Sequence, residues 1–210
     1  MSAKPLISFE KISEEHPYFL DVDEYPDWSF QFQNEFPLKF EIGFGNGNFL
    51  IEMAAREPET NFVGMDFYHK GIRKIITRIN NLQIDNIRIV YGDAKEKAPF
   101  LFKDNELSEV FINFPDPWPK KRHIKRRLIK PRFISALSQK LTRGGAIHVA
   151  TDSKSYAREI LTYFESEKTL KNLAGKLGYS DQREDTPKSK YEKTFLNLGE
   201  DIFYMDFKKV

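Results

Sequence analysis

The chain has 210 residues, of which 40% are hydrophobic and 30% charged, with 33 lysines and arginines against 31 aspartates and glutamates; this balance describes one soluble globular domain with a sizeable core and excludes a chain disordered throughout. It contains no cysteine, which excludes disulfides and thiolate metal sites. Lys4, Glu10, Lys11, Glu14 and Glu15 leave no room for a secretory h-region near the start, and no apolar run is long enough to span a bilayer, so a reduced, cytoplasmic setting is expected.

Residues 1–36 are aromatic and acidic, with Pro17 and Pro26 as punctuation, and read as an irregular N-terminal arm ahead of a single domain over 37–210. The apolar run Leu38 to Ile42 predicts a strand. It ends in Gly43-x-Gly45-x-Gly47, after which Phe49, Leu50, Met53 and Ala54 fall at helical spacing. Asn61 to Asp66 predicts a second, buried strand, and Ile72, Ile75, Ile76 and Ile79 line one face of the helix that follows. Asn86 to Tyr91 is a third strand and Glu109 to Phe114 a fourth. A helix then opens near Pro131, carries Phe133, Ile134, Leu137 and Leu141 on one face, and is expected to stop at Gly144-Gly145.

Ala146 to Thr151 is a fifth strand, and Asp152 or Ser153 caps a helix bearing Tyr156, Ile160, Leu161 and Phe164. The tail reads as two further strands, Lys193 to Leu198 and Ile202 to Phe207, joined by Gly199-Glu200-Asp201 into an antiparallel pair. The whole predicts an α/β, Rossmann-like fold: a doubly wound, mostly parallel, seven-stranded sheet with an antiparallel edge.

Ligands of such sheets bind beyond the carboxyl ends of the strands. Those ends carry the glycine loop, Asp66, Asp93, Asp116 and Asp152 in turn. Each aspartate alone also reads as a turn or cap residue; their shared location is what points to a site. The glycine loop is G-x-G-x-G, not the G-x-G-x-x-G of dinucleotide folds, and Glu41 directly precedes it. A carboxylate there repels a pyrophosphate and attracts the ammonium of a methionine moiety. With Asp66 and Gly92-Asp93-Ala94, it favours S-adenosylmethionine, leaving an NAD-dependent oxidoreductase as the alternative. The four histidines, His16, His69, His123 and His148, are scattered, and no metal site is expected.

The fourth strand runs into Phe114-Pro115-Asp116-Pro117-Trp118-Pro119, then into KKRHIKRR from Lys120 to Arg127. Each proline biases the residue before it towards extended backbone, which predicts extended Phe114, Asp116 and Trp118 and a stiff loop that presents the Asp116 carboxylate outwards. Trp118 is expected to anchor the loop, with base stacking the lesser reading. The formal net charge is only +2, so the basic run is a local concentration suited to the phosphates of a polyanion. A non-catalytic RNA-binding module is therefore a second alternative.

Four segments together resemble the bacterial tRNA (guanine-N7-)-methyltransferase family: EIGFGNGNFL at 41–50, FPDPWPKKRHIKRRLI at 114–129, ATDS at 150–153 and SKYEKTF at 189–195. The resemblance spans residues 37–207. It implies a class I enzyme that carries a methyl group from S-adenosylmethionine to N7 of the variable-loop guanine of tRNA, with tRNA as partner and neither metal nor membrane. It implies that Glu41, Asp66, Asp93 and Asp116, with Gly43, Gly45 and Gly47, border the cofactor. Substrate-side roles are implied for Lys120, Asp152, Ser189, Lys190, Tyr191 and Glu192, and a catalytic role for Asp116; the position of the basic run beside Asp116 makes Lys121, Arg122, Lys125 and Arg126 the expected tRNA phosphate contacts. Two departures stand out: Asp66-Phe67-Tyr68-His69 replaces a usual Glu-Val-His, which shortens the acid by one methylene, and Ser189 replaces a usual Thr.

Guanine N7 is an unprotonated acceptor, already nucleophilic, so such a transfer needs alignment more than a strong base. Asp116 is suited to accept from the guanine N1 and N2 donors, a contact worth about 1–3 kcal/mol against adenine.

Overall fold

Phe40 and Ile42 are buried on one face of the first core strand while Glu41, between them, points to the other. That alternation, repeated strand by strand, builds the molecule around a single sheet. The computed structural model describes residues 8, 11–12 and 16–210. The first part of the expected arm, including Lys4, Glu10, Glu14 and Glu15, lies outside the described residues.

The strands are β1 (Phe19–Leu20), β2 (Leu38–Ile42), β3 (Asn61–Asp66), β4 (Ile87–Tyr91), β5 (Leu107–Asn113), β6 (Leu141–Thr151), β7 (Leu170–Asn172) and β8 (Phe203–Lys209). They form one eight-stranded sheet in the order β1-β4-β3-β2-β5-β6-β8-β7. Strands β1 to β6 are parallel, and β8 runs antiparallel between β6 and β7. The order reverses at β2, which places the switch point, and hence the natural ligand crevice, between the ends of β2 and β5. The mostly parallel sheet with an antiparallel edge is as expected, but it has eight strands, of which β1 and β7 lie outside the expected seven.

The helices are α1 (Trp28–Phe32), α2 (Asn48–Arg56), α3 (His69–Leu82), α4 (Ala94–Lys97), α5 (Pro131–Lys140), α6 (Lys154–Glu165) and α7 (Lys190–Asn197). Helices α2 and α3 cover one face: Ile72, Ile75, Ile76 and Ile79 pack with Phe49, Leu50, Phe62 and Phe111. Each of those isoleucines is fully buried, worth about 1.5–3 kcal/mol apiece. Helices α5 and α6 cover the other, where Phe133, Ile134, Tyr156 and Phe164 pack against Val110, Ile147 and Phe207.

Four expectations are corrected. The segment expected as the strand Lys193 to Leu198 is helical: Ser189 and Glu192 form a reciprocal capping box that starts α7. The antiparallel partners of β8 are β6 and β7, not a neighbouring hairpin strand. Helix α5 ends at Lys140, before Gly144-Gly145. Those glycines sit inside β6, where the pairing with β5 shifts register, Gly144 has φ +82° and a Cβ on Gly145 would lie 2.8 Å from the Ser108 carbonyl oxygen. Finally, residues 16–36 are ordered on the body: Trp28 stacks on Phe102 at 5.5 Å and donates from Nε1 to the Leu101 carbonyl at 2.7 Å.

Candidate active site

Alternation along β2, β3 and β5 puts Glu41, Asp66 and Asn113 on one face, all at carboxyl ends, on the side covered by α2 and α3. Gly43, Gly45 and Gly47, at φ +77°, +56° and +69°, turn the chain from β2 into α2. The three glycines serve different ends. A Cβ on Gly43 or Gly45 would meet no protein atom within 4 Å, and both line an adjoining cavity, whereas one on Gly47 would strike Ile75 Cδ1 at 2.3 Å. Gly47 thus lets α2 approach α3, while the other two leave room for a ligand.

The cavity, about 310 Å³, is lined by Glu41, Gly43, Gly45 and Asn113 from the sheet side and by Ser189, Lys190 and Tyr191 from the start of α7. Glu41 is 2% exposed, and its Oε2 has no hydrogen-bond partner. Asn113 Nδ2 approaches Oε1 at a long 3.5 Å. Burial pushes the Glu41 carboxyl up to about 8, the Asn113 contact opposes this, and the nearby Asp66 charge adds to it. A buried acid with one unpartnered oxygen beside a cavity suits a cationic donor, and the open space at Gly43 and Gly45 is a cradle for it. The ammonium end of S-adenosylmethionine meets both requirements; a pyrophosphate would fit the glycine space but be repelled by the Glu41 carboxylate.

Asp66 holds the loop itself. Its Oδ2 accepts from Gly45 N at 2.8 Å and its Oδ1 from Tyr68 N at 2.9 Å. Burial raises its carboxyl, opposed by the backbone donors of Gly45, Tyr68 and Phe67. The shorter acid at this position is therefore matched to its own backbone.

The proline loop departs from the extended expectation at two places. Phe114 has φ +53° and Trp118 φ +39°, conformations that cost about 1–3 kcal/mol each unless the surroundings impose them. Phe114 N continues the β5 ladder to the Ala150 carbonyl at 2.8 Å, and its ring packs on Phe195 of α7 at 5.5 Å. Trp118 is held by the edge of His123 at 5.6 Å and by the Arg126 guanidinium at 5.0 Å. Between these fixed points, Asp116 is exposed and makes no side-chain hydrogen bond or ion pair among the described residues.

The basic run divides. Lys120, Lys121, Arg122, Lys125 and Arg126 are exposed, the last four on a short 3-10 helix over 121–126. Arg127 is not: it is 4% exposed, pairs with Glu159, lies over the Tyr156 ring at 4.6 Å and donates from Nε to the Pro117 carbonyl at 2.7 Å. It does not extend the outward-facing cationic surface.

The cavity thus brings together Glu41, Gly43, Gly45, Ser189, Lys190 and Tyr191 among the expected site residues; Gly47, Asp66, Asp93, Asp116, Lys120, Asp152 and Glu192 do not line it. Asp93 is exposed and caps α4 through Lys95 N at 2.9 Å. Asp152 is half-buried beyond β6, where Ser153, not Asp152, caps α6. Ser189 Oγ accepts from Glu192 N, Glu192 Oε2 accepts from Ser189 N, both at 3.1 Å, and Glu192 Oε1 accepts from the Tyr204 hydroxyl at 2.7 Å.

Several lining residues escape the sequence reading, Asn48, Lys70 and Lys74 among them, and so do two residues that position Glu41. Asn113 ends β5 beside Glu41, and its Oδ1 accepts from Arg183 Nη1 at 3.1 Å. The rule that selects Asp116, a polar group at the end of the fourth strand, applies equally to Asn113. Arg183 lies in an irregular segment with no periodicity to mark it, packed 5.0 Å over the Tyr204 ring.

A family model described as "Putative methyltransferase" matches residues 35–205. A tRNA (guanine-N(7)-)-methyltransferase of Buchnera aphidicola subsp. Baizongia pistaciae is 39% identical over 186 residues, covering 89% of this chain and 77% of that protein. One from Buchnera aphidicola subsp. Acyrthosiphon pisum is 42% identical over 176 residues, 84% of this chain and 74% of the relative. Among solved structures, the aminoglycoside resistance methyltransferase NpmB1 superposes with a TM-score of 0.59 at 14% identity, over 90% of this chain and 95% of its own, a likeness of fold. Identity of this order over most of both chains settles the family: the chain belongs to the tRNA (guanine-N(7)-)-methyltransferases.

Proposed function

We propose that the protein methylates N7 of the variable-loop guanine of tRNA, with the reacting groups gathered where β2 and β5 end. Family membership supports the reaction, and the observation that carries the cofactor reading is Glu41, a buried acid with a free oxygen beside a glycine-lined cavity. S-adenosylmethionine, when bound, supplies a sulfonium methyl already activated for transfer.

In this reading Glu41 takes the ammonium, while Gly43 and Gly45 give the backbone room to close around the ligand. Asp66 fixes the glycine loop by holding Gly45 N. Asn113, braced by Arg183, keeps the Glu41 carboxyl oriented. Asp116, exposed on a loop pinned at Phe114 and Trp118, accepts from guanine N1 and N2 and so turns N7 towards the cavity. Lys120 stands beside it, and Lys121, Arg122, Lys125 and Arg126 take the neighbouring phosphates. Lys190 and Tyr191 present their side chains from the α7 wall. Ser189 and Glu192 act by holding that wall in place, and Asp93 and Asp152 sit at the flanking strand ends.

The test is incubation with labelled S-adenosylmethionine and two unmodified tRNA transcripts, one with its variable-loop guanine changed to adenine. Label in the guanine transcript alone supports the assignment. Equal label in both overturns it.

A further inference from the structure

The cavity beside the glycine loop continues outwards. Asn48, at the start of α2, lines both that cavity and an adjoining open depression of about 450 Å³ with Ile51 and Leu82 in its wall. Lys70, Lys74 and Arg78 recur every four residues and form one stripe along α3. Lys190 and Lys193 lie one turn apart on α7. The first cavity is lined by Lys70, Lys74 and Lys190, the second by Arg78 and Lys193, so the two stripes share one cleft.

Little offsets this charge. Two acids line the cleft: Glu52, which is engaged by Arg56 at 2.6 Å, and Glu41, which is buried at the sheet end of the first cavity, and none of the four lysines has an ion-pair partner among the described residues. Arg78 is fixed by donating from Nη1 to the Asn46 carbonyl at 3.1 Å and to Asn48 Oδ1. Five cations against these two acids leave the cleft an excess of positive charge that an anion would offset. The α3 stripe alone is about 12 Å long at the rise of a helix, too long for a single phosphate group. Strand β3, which leads into α3, and β5, which leads into the Lys120 run, lie on opposite sides of β2.

We propose that the cleft between α3 and α7 is a second phosphate-binding row, which grips the tRNA backbone on the far side of the glycine loop from Lys121, Arg122, Lys125 and Arg126. The target guanine is then presented between two backbone grips. This rests on the tRNA reading given above.

The test compares wild type with a triple variant, Lys70→Gln, Lys74→Gln and Lys193→Gln, in tRNA binding across a salt series. The expected slope of log affinity against log salt falls by about 2, at about 0.7–0.9 for each phosphate no longer neutralised. Equilibrium dialysis of Lys193→Gln, a residue that lines only the outer depression, should give S-adenosylmethionine affinity within about twofold of wild type, and the corresponding triple Lys→Arg variant should keep the wild-type slope. Single Lys→Gln variants, each lowering the slope by about 0.7–0.9, provide the same readout if the triple variant does not fold. A wild-type slope in the glutamine variants overturns the second row, as does a loss of cofactor affinity with the slope intact. Failure of wild type itself to bind or methylate tRNA overturns the tRNA reading instead, and this row with it.

Discussion

Arg127 donates from Nε to the Pro117 carbonyl at 2.7 Å, so the last residue of the basic run ties down the loop that carries Asp116. Its other end pairs with Glu159, which Lys130 also contacts at 2.7 Å. One segment thus combines an outward set of cations with a single inward one.

Arg127→Met should destabilise the fold by about 2 kcal/mol, because it removes a buried guanidinium that is hydrogen-bonded to the Pro117 carbonyl and to Glu159. It should leave the salt slope of tRNA binding unchanged. Neutralising Lys121, Arg122, Lys125 and Arg126 together should do the reverse, with little loss of stability and a slope flattened by about 3. Denaturant unfolding and salt-dependent binding of the two variants check both halves.

Asp116 is exposed and unengaged, so its replacement costs the fold little. Asp116→Ala should lower turnover by about ten- to hundredfold, equivalent to about 1–3 kcal/mol of guanine recognition, with tRNA affinity within about twofold. Single-turnover methylation beside a binding measurement separates the two; equal loss in both would reduce Asp116 to a binding contact.

The Glu41 carboxyl gives a pH dependence with a definite sign. Its folded-state value, about 8, lies above the ordinary 4.5, so between those values the unfolded chain releases a proton that the folded one keeps. Stability attributable to this group is fully present below 4.5 and is lost as pH rises to about 8. Glu41→Gln should remove that decline, as parallel unfolding curves at the two ends of the window would show. Cofactor binding near neutral pH should release about one proton as the ammonium draws Glu41 into its charged form. Calorimetry in buffers of different ionisation enthalpy reads this directly, and no proton release would remove Glu41 from the ammonium site.

Ser189→Ala should cost about 1 kcal/mol of stability by unmaking the α7 cap, while Ser189→Thr should be nearly neutral. Thermal or denaturant unfolding of the pair checks it. A Ser189→Ala protein of wild-type stability would return Ser189 to direct substrate contact.

Most of the sheet is legible in the sequence because periodic helices follow β2, β3, β5 and β6, each long enough to show its apolar face, and among β2 to β6 only β4 is followed by a short turn of helix. The glycine loop and the acids at the strand ends follow from that order. The tail is not legible in the same way. Residues 193–198 carry no clean alternation, and the signal that identifies α7 is the Ser189-x-x-Glu192 capping box, a pair that the family resemblance assigns to the substrate instead. Strands β1 and β7 have two and three residues, too few for any period to appear. Positive φ at Phe114 and Trp118 is imposed by Ala150, Phe195, His123 and Arg126, partners distant in sequence or meeting only after the loop folds. The inward turn of Arg127 depends on Glu159, a helix away, so the composition of KKRHIKRR cannot separate it from its neighbours.

The most direct measurement replaces the variable-loop guanine of a tRNA transcript with 7-deazaguanine, which removes N7 and keeps the N1 and N2 donors. Binding should match that of the unmodified transcript, because Asp116 and both sets of cations find their usual partners, and methyl transfer should vanish. Methylation of the deaza transcript at the rate of the guanine transcript would contradict transfer to N7.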